Sequence, residues 1–258
     1  MLDENHVNGK WHLLPMIGID VVEIVVHAGA DEKTVDETAR AVEEAGLSVW
    51  SVHAPFGETV NISSPDDDIR AAGIEGTATA VRACATFSGQ VVVVHCGDKL
   101  IDGQNADEVR RLSMESVSRI LEEVGDLSPR LALENLPSGY VTQTVDELMA
   151  VVSEFPEEKV GVCIDTGHGH TVGDAADIID GLAERIITTH LHDNDSTGDQ
   201  HLLPGSGTID WEAVGKALGR TGYDGPLMFE VSGPGSPEEA LPKLMTAARM
   251  IDEYMGMA

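Results

Sequence analysis

Short β-branched runs alternate with amphipathic stretches along nearly the whole chain, and this alternation limits the fold more than any other feature. VVEIVVHAG (21–29) reads as a strand and DEKTVDETARAVEEAG as a helix with an acidic first turn and a glycine stop. LSVWSVHAPF then leads to a helix over about 66–87, QVVVVHCG to one from about 105 to 124, and RLALENLP to TVDELMAVVSEF. KVGVCIDTGH precedes GDAADIIDGLAE, RIITTHLHD precedes DWEAVGKALGRTG, and GPLMFEV precedes SPEEALPKLMTAARMIDEYM. Strands buried on both faces and joined by helical crossovers make a parallel sheet, and seven or eight such units favour closure into an α/β (β/α)8 barrel. The first unit must come from residues 1–20, with LDENHV as strand and WHLLPMIG as a short helix, so it is cramped or degenerate. A doubly wound open sheet is the alternative, but no G-x-G-x-x-G follows any strand as a dinucleotide site requires. No linker or change of composition divides the 258 residues, so a single domain over 1–258 is expected.

The balance of 45 Asp and Glu against 16 Lys and Arg gives a formal charge of −29. Such charge repels itself at low ionic strength and is screened within about 3 Å at 1 M salt. The composition therefore points to halophilic adaptation, and it weighs against non-specific nucleic-acid binding, which needs cations on phosphates. No apolar run reaches the roughly 18 residues of a membrane span, and MLDENHVNGK is acidic and polar where a secretory signal is basic and then apolar. A soluble cytoplasmic protein without a membrane partner is expected. Cys84, Cys96 and Cys163 are odd in number and lie in apolar segments, as reduced thiols do.

In a barrel of this kind chemistry gathers where the strands end. His53 closes SVWSVH, His95 follows VVVV, Glu134 closes RLALE, and Asp165 and His168 lie in CIDTGH. His190 and His192 end RIITTHLH, Asp199 and His201 sit in the loop after it, and Glu230 ends MFE. Singly, each has an ordinary explanation as a hydrogen-bonded polar residue, a turn or a cap. Together they put carboxylates on one rim, where they repel one another and lose solvation unless a cation joins them. Imidazole and carboxylate without thiolate suit Zn²⁺, Mn²⁺, Fe²⁺ or Co²⁺. His190 and His192 share a strand face, so both can reach the centre or one can stand behind the other as a donor; His190 is the expected ligand. Alternation is expected to turn Cys96 and Cys163 away from the barrel interior. Pro55, Phe56 and Tyr140 are candidates for a pocket wall, although packing beneath its own loop is the simpler role for Phe56. Gly205 and Gly207 suit a tight turn that folds the loop back toward the rim.

The ordered set VHAPFG, VVHCG, LEN, CIDTGH, HLHD, D-Q-H with PGSG, and FE resembles the xylose isomerase-like barrel superfamily from about residue 45 to 231. That grouping includes sugar isomerases and epimerases and the endonuclease IV class of abasic-site nucleases. By resemblance to the nucleases, three zinc ions would be held by His53, His95, Glu134, Asp165, His168, His190, Asp199, His201 and Glu230. By resemblance to the epimerases, one metal would be held by Glu134, Asp165, His190 and Glu230, with the two glutamates exchanging protons with the substrate. One to three divalent ions are thus implied, and His192 and Asp193 would lie behind the ligands or against the substrate. The epimerase chemistry needs a base on one face of the carbon beside a carbonyl, an acid on the other, and a Lewis acid to steady the enediolate oxygens.

The surroundings favour the sugar branch. From Glu134 to Asp180 the only basic side chain is Lys159, and from Leu191 to the residue before Lys216 there is none. A duplex grip with an extruded nucleotide needs phosphate contacts there. The nuclease pattern also carries arginine where Gln200 stands, whereas HLHDN and a PG-x-G-x-IDW segment ending at Trp211 are shared with many sugar isomerase-like members. A metal-dependent isomerase or epimerase of carbohydrate metabolism is expected, its substrate a small neutral sugar, polyol or related ketone before a sugar phosphate. An abasic-site phosphodiesterase is the alternative, with nucleic acid the less favoured partner, and a metal-holding barrel without catalysis is the third reading.

Overall fold

The computed structural model describes residues 11–16, 18–232 and 237–256, without the side chains of residues 32 and 237–240. Six parallel strands stand in chain order as one curled sheet. They are β1 (Val21–Val25), β2 (Ser48–His53), β3 (Val91–Val94), β4 (Arg130–Glu134), β5 (Val160–Asp165) and β6 (Ile186–His190). Helices α1 (Leu13–Met16), α2 (Glu32–Glu44), α3 (Asp67–Thr86), α4 (Ala106–Val124), α5 (Val145–Val152), α6 (Thr166–Val172), α7 (Ala175–Leu182), α8 (Trp211–Thr221) and α9 (Pro237–Met255) complete the described architecture, that of a (β/α)8 barrel.

The helices begin where polar side chains replace missing backbone acceptors. Asp31, Asp66, Asn105, Asp174 and Asp210 accept from the first-turn amides of their helices, and Thr144 with Glu147 forms a capping box before α5. The outward faces of the strands supply Val52, Val92, Val94, Leu131, Leu133, Val162 and Ile164 to the core beneath the helices. Each such side chain contributes about 1.5–3 kcal/mol by leaving water. A second, smaller cluster of Val91, Val93, Ala132 and Cys163, with Trp50 and Ile187 against it, lies inside the barrel. No described helix is long and apolar enough to cross a membrane. Cys84, Cys96 and Cys163 are free and buried.

One expectation about an element changes. GPLMFEV, expected as a full strand, is reduced to a parallel bridge between Leu191 and Phe229, with Leu191 N–H donating to Met228 O and Glu230 N–H to Leu191 O. The Thr189 hydroxyl accepts from Met228 N–H, which takes that amide out of a regular ladder. At the end of β5, Asp165 caps α6 by accepting from His168 N–H at 2.6 Å. WHLLPMIG does contain a short helix, α1. LDENHV, the expected first strand, lies outside the described residues.

Candidate metal centre

Parallel register fixes which strand-end residues can meet. Val93 pairs with Ala132, so two residues further on His95 stands opposite Glu134. Glu134 pairs with Cys163, and Asp165 with His190. Because alternate residues share a face, Cys163 lies on the same side as Asp165 and points into the barrel. Its sulfur falls within the 4.8 Å grouping of Glu134 and His190, which corrects the expectation that it turns away. Cys96, one residue past the inward His95, does belong to the outer core.

The histidines are held on one ring nitrogen and turn the other toward the carboxylates of the cluster. A carbonyl oxygen can only accept, so Nδ1 carries the proton in His53 (Ala54 O, 2.7 Å), His168 (Asn135 O, 2.9 Å) and His201 (Glu230 O, 3.0 Å). Their Nε2 atoms then face carboxylates: His53 toward Glu134 Oε2 at 3.6 Å, His168 toward Asp199 at 3.4 Å and His201 toward Asp199 at 2.9 Å. His190 is turned the other way, with Nδ1 at 2.9 Å from Glu134 Oε1, 2.9 Å from Glu230 Oε2 and 3.9 Å from Asp165 Oδ2. Metal-binding histidines are held in this manner, one nitrogen spent behind and the other presented.

Glu134 is the hinge of the arrangement. Its Oε1 faces His190, while Oε2 lies 3.0 Å from His95 Nε2 and is buried without a hydrogen bond. An orphaned carboxylate oxygen between two imidazoles is costly unless a cation completes it. That donor set fits a divalent ion, and Glu134 can join two such sites. Ligand atoms of His53, His95 and Glu134 fall within 4.8 Å of one another, as do those of Glu134, Asp165, His190 and Glu230. Two ligands of one zinc ion stand no more than roughly 4.2 Å apart, so small movements suffice. All nine expected ligands are thus drawn into these two groups or into the pairwise contacts of Asp199 with His168 and His201.

Charge follows from this packing. Burial alone would raise the carboxyls of Glu134 and Glu230, but the facing His190 outweighs it and holds both well below their ordinary range. Burial would lower His168 and His201; Asp165 and Asp199 chiefly oppose it for His168, and Asp199 and Glu230 for His201, pushing them up to about 10 and about 9. Metal-free, the cluster balances its carboxylates with protons on imidazoles.

His192 and Asp193 take distinct places. The His192 ring is fully buried, sets Nε2 3.0 Å from Asp165 Oδ1, and stacks on His201 at 4.1 Å. It joins further groupings with Asp165 and His168, and with His201 and Glu230. A Cβ on Gly167 would overlap this ring, so glycine is required there. His201 itself adopts a left-handed φ of 48°, strain of the kind retained at functional sites. Asp193 is turned into its own loop: its carboxylate accepts from Asn194, Gly205, Gly207 and Ile209 N–H and from Trp211 Nε1–H. Gly205, at φ +85°, makes the turn that brings those amides round.

Four participants escaped the strand-end pattern. Glu23 lies behind His190, Asn135 clamps Asp165 by donating to its O and accepting from its N–H, and the Thr166 hydroxyl donates to His192 O. Gly167 is the fourth. Glu23 had a visible signal, a carboxylate within the apolar run VVEIVV. Phe56 does not pack beneath its loop: it is 51% exposed and stacks on His95 with ring centres 4.3 Å apart. Arg70 and Arg110, early in α3 and α4, are paired with Asp67 and with Asp107 and Glu147.

Residues 13–253 match the family model described as the xylose isomerase-like TIM barrel. An uncharacterized protein of Methanocaldococcus jannaschii is 30% identical over 185 residues, which are 69% of this chain and 63% of that protein. The chain thus spans less than two thirds of that relative's length. A probable endonuclease 4 of Methanoculleus marisnigri is 30% identical over 72% of this chain and 67% of its own. A ketose 3-epimerase of Arthrobacter globiformis is 29% identical over 83% of this chain and 73% of its own. Among solved structures, a D-tagatose 3-epimerase-like protein aligns with a TM-score of 0.79 and 25% identity, covering 93% of this chain and 90% of that one.

Proposed function

The chain belongs to the xylose isomerase-like TIM barrel family, and from that premise we propose that it is a divalent-metal-dependent isomerase or epimerase of a small sugar, polyol or related ketone. The observation that carries this reading is the convergence of Glu134, Asp165, His190 and Glu230 within 4.8 Å, which brings the glutamate ending β4 and the glutamate after the Leu191–Phe229 bridge to one centre. Zn²⁺, Mn²⁺, Fe²⁺ or Co²⁺ bound there supplies Lewis acidity toward the substrate's carbonyl and hydroxyl oxygens. Glu134 and Glu230 are the acid and base: one takes the proton from the carbon beside the carbonyl and the other returns a proton. Asp165, fixed by the α6 cap and by Asn135, and His190 hold the centre in place. Phe56 offers an aromatic face at the mouth, and Arg70 and Arg110 are already paired, which suits a neutral substrate better than a polyanion. The acidic composition supports a working site in a salt-rich cytoplasm.

A second reading, metal-dependent hydrolysis of an abasic-site phosphodiester, is favoured by the orphaned Glu134 Oε2 between His53 and His95. A joining carboxylate suits clustered ions that activate water and steady a leaving oxygen. One experiment separates the two: metal-loaded protein in molar KCl is offered a panel of ketoses in deuterated water and, separately, an abasic-site duplex. The isomerase reading expects chelator-sensitive deuterium incorporation into a ketose and an intact duplex, with Glu134→Gln reducing turnover by about 10²–10⁴-fold. Chelator-sensitive cleavage of the duplex with no ketose turnover reverses the assignment.

A further inference from the structure

We propose that Glu23 is a positioning residue that fixes the tautomer and aim of His190, so that Nδ1 is the ring atom available to a metal at the centre shared by Glu134, Asp165 and Glu230. The inference rests on the reading of His190 as a metal ligand. Glu23 sits in the middle of β1 with Val22 and Ile24 as neighbours and is 4% exposed. A buried carboxylate survives only with donors around it. Ser51, its register partner on β2, donates its hydroxyl to Oε2 at 2.6 Å, and the two carboxylate oxygens lie 3.1 and 3.2 Å from His190 Nε2.

The two ends of the His190 ring face different surroundings. Nε2 meets Glu23, whereas Nδ1 meets the converging carboxylates, so Glu23 stands behind the ring and outside the coordinating group. Glu134 and Glu230, each 2.9 Å from Nδ1, compete with a metal by holding a proton on that atom. A ring protonated on Nδ1 cannot ligate through it. Glu23 decides this competition by accepting the Nε2 proton. Stacking of His190 against His53, at 5.8 Å between centres and 18° between planes, keeps the ring from turning to evade it.

The test compares wild type, Glu23→Gln, Ser51→Ala and His190→Ala by competition with a chromophoric chelator for Zn²⁺ and Co²⁺. It also follows the His190 Nε2–H signal by nitrogen-edited NMR of the zinc-loaded protein. Glu23→Gln should weaken metal binding by about 10–100-fold and move the protected, downfield Nε2–H signal upfield. Ser51→Ala should shift both in the same direction by less, and it decides the matter if Glu23→Gln does not fold. Should His190→Ala weaken binding while Glu23→Gln and Ser51→Ala leave affinity and signal unchanged, the positioning role is overturned and the ligand reading stands. Binding by His190→Ala as tight as wild type overturns both.

Discussion

His168 and His201 show how strongly single side chains in this cluster depend on their neighbours. Asp165 and Asp199 hold the first up at about 10, and Asp199 and Glu230 the second at about 9, against burial that pulls the other way. Both folded values lie above the ordinary histidine value near 6.5. Their contribution to the metal-free fold is therefore complete below about pH 6.5 and is lost as pH rises through about 9 to 10. A cation reaching their Nε2 atoms must displace those protons, so uptake should release protons at pH 7.5 and apparent affinity should climb with pH up to that window. Calorimetry in two buffers of different ionisation heat measures this directly, and zero proton release on zinc uptake would refute the charge assignment. At this scale the site was legible wherever a residue closed a strand: His95, Glu134 and Asp165 announce themselves by position. Glu23 was signalled only as a carboxylate inside an apolar run, away from any strand end, and Cys163, two residues before Asp165, was not legible because a face is set by parity along the whole strand.

Among the elements, the segment between β6 and α8 carries the most unusual construction. Five donors converge on the two oxygens of Asp193, which ties residues 194–211 into one folded loop and sets Asp199 against His168 and His201. In Asp193→Asn an NH₂ group faces these donors, leaving at least one buried amide unpaired at a cost of about 1–3 kcal/mol. The expected outcome is faster hydrogen exchange across 194–209 and a melting temperature lower by several degrees; unchanged exchange would mean that the loop is held by something else. The alternation of elements was readable because period and caps are local properties. Glycines at 205 and 207 signalled a turn, but the Asp193 hub requires residues up to 18 positions apart to close on it, which no local pattern encodes. The expected strand GPLMFEV is strand-like in its apolar run, yet it makes only a bridge to Leu191, with Met228 N–H donating to the Thr189 hydroxyl instead of a ladder carbonyl, a long-range contact that local pattern does not encode.

For the molecule as a whole, two facts act together. The barrel brings side chains spread from Glu23 to Glu230 to one end of the sheet, and the rest of the surface carries acid far beyond what 16 basic residues can pair against 45. Several of those basic residues are held in networks such as Arg111 with Glu108 and Glu115, Arg82 with Glu75 and Glu123, and Arg220 with Asp180. Such an acid excess draws cations toward the protein and repels polyanions. The most direct measurement is anomalous diffraction from crystals soaked in Mn²⁺ or Zn²⁺. The account predicts an ion bound jointly by Glu134, Asp165, His190 and Glu230, while ions found only elsewhere, with those four side chains left uncoordinated, would contradict it.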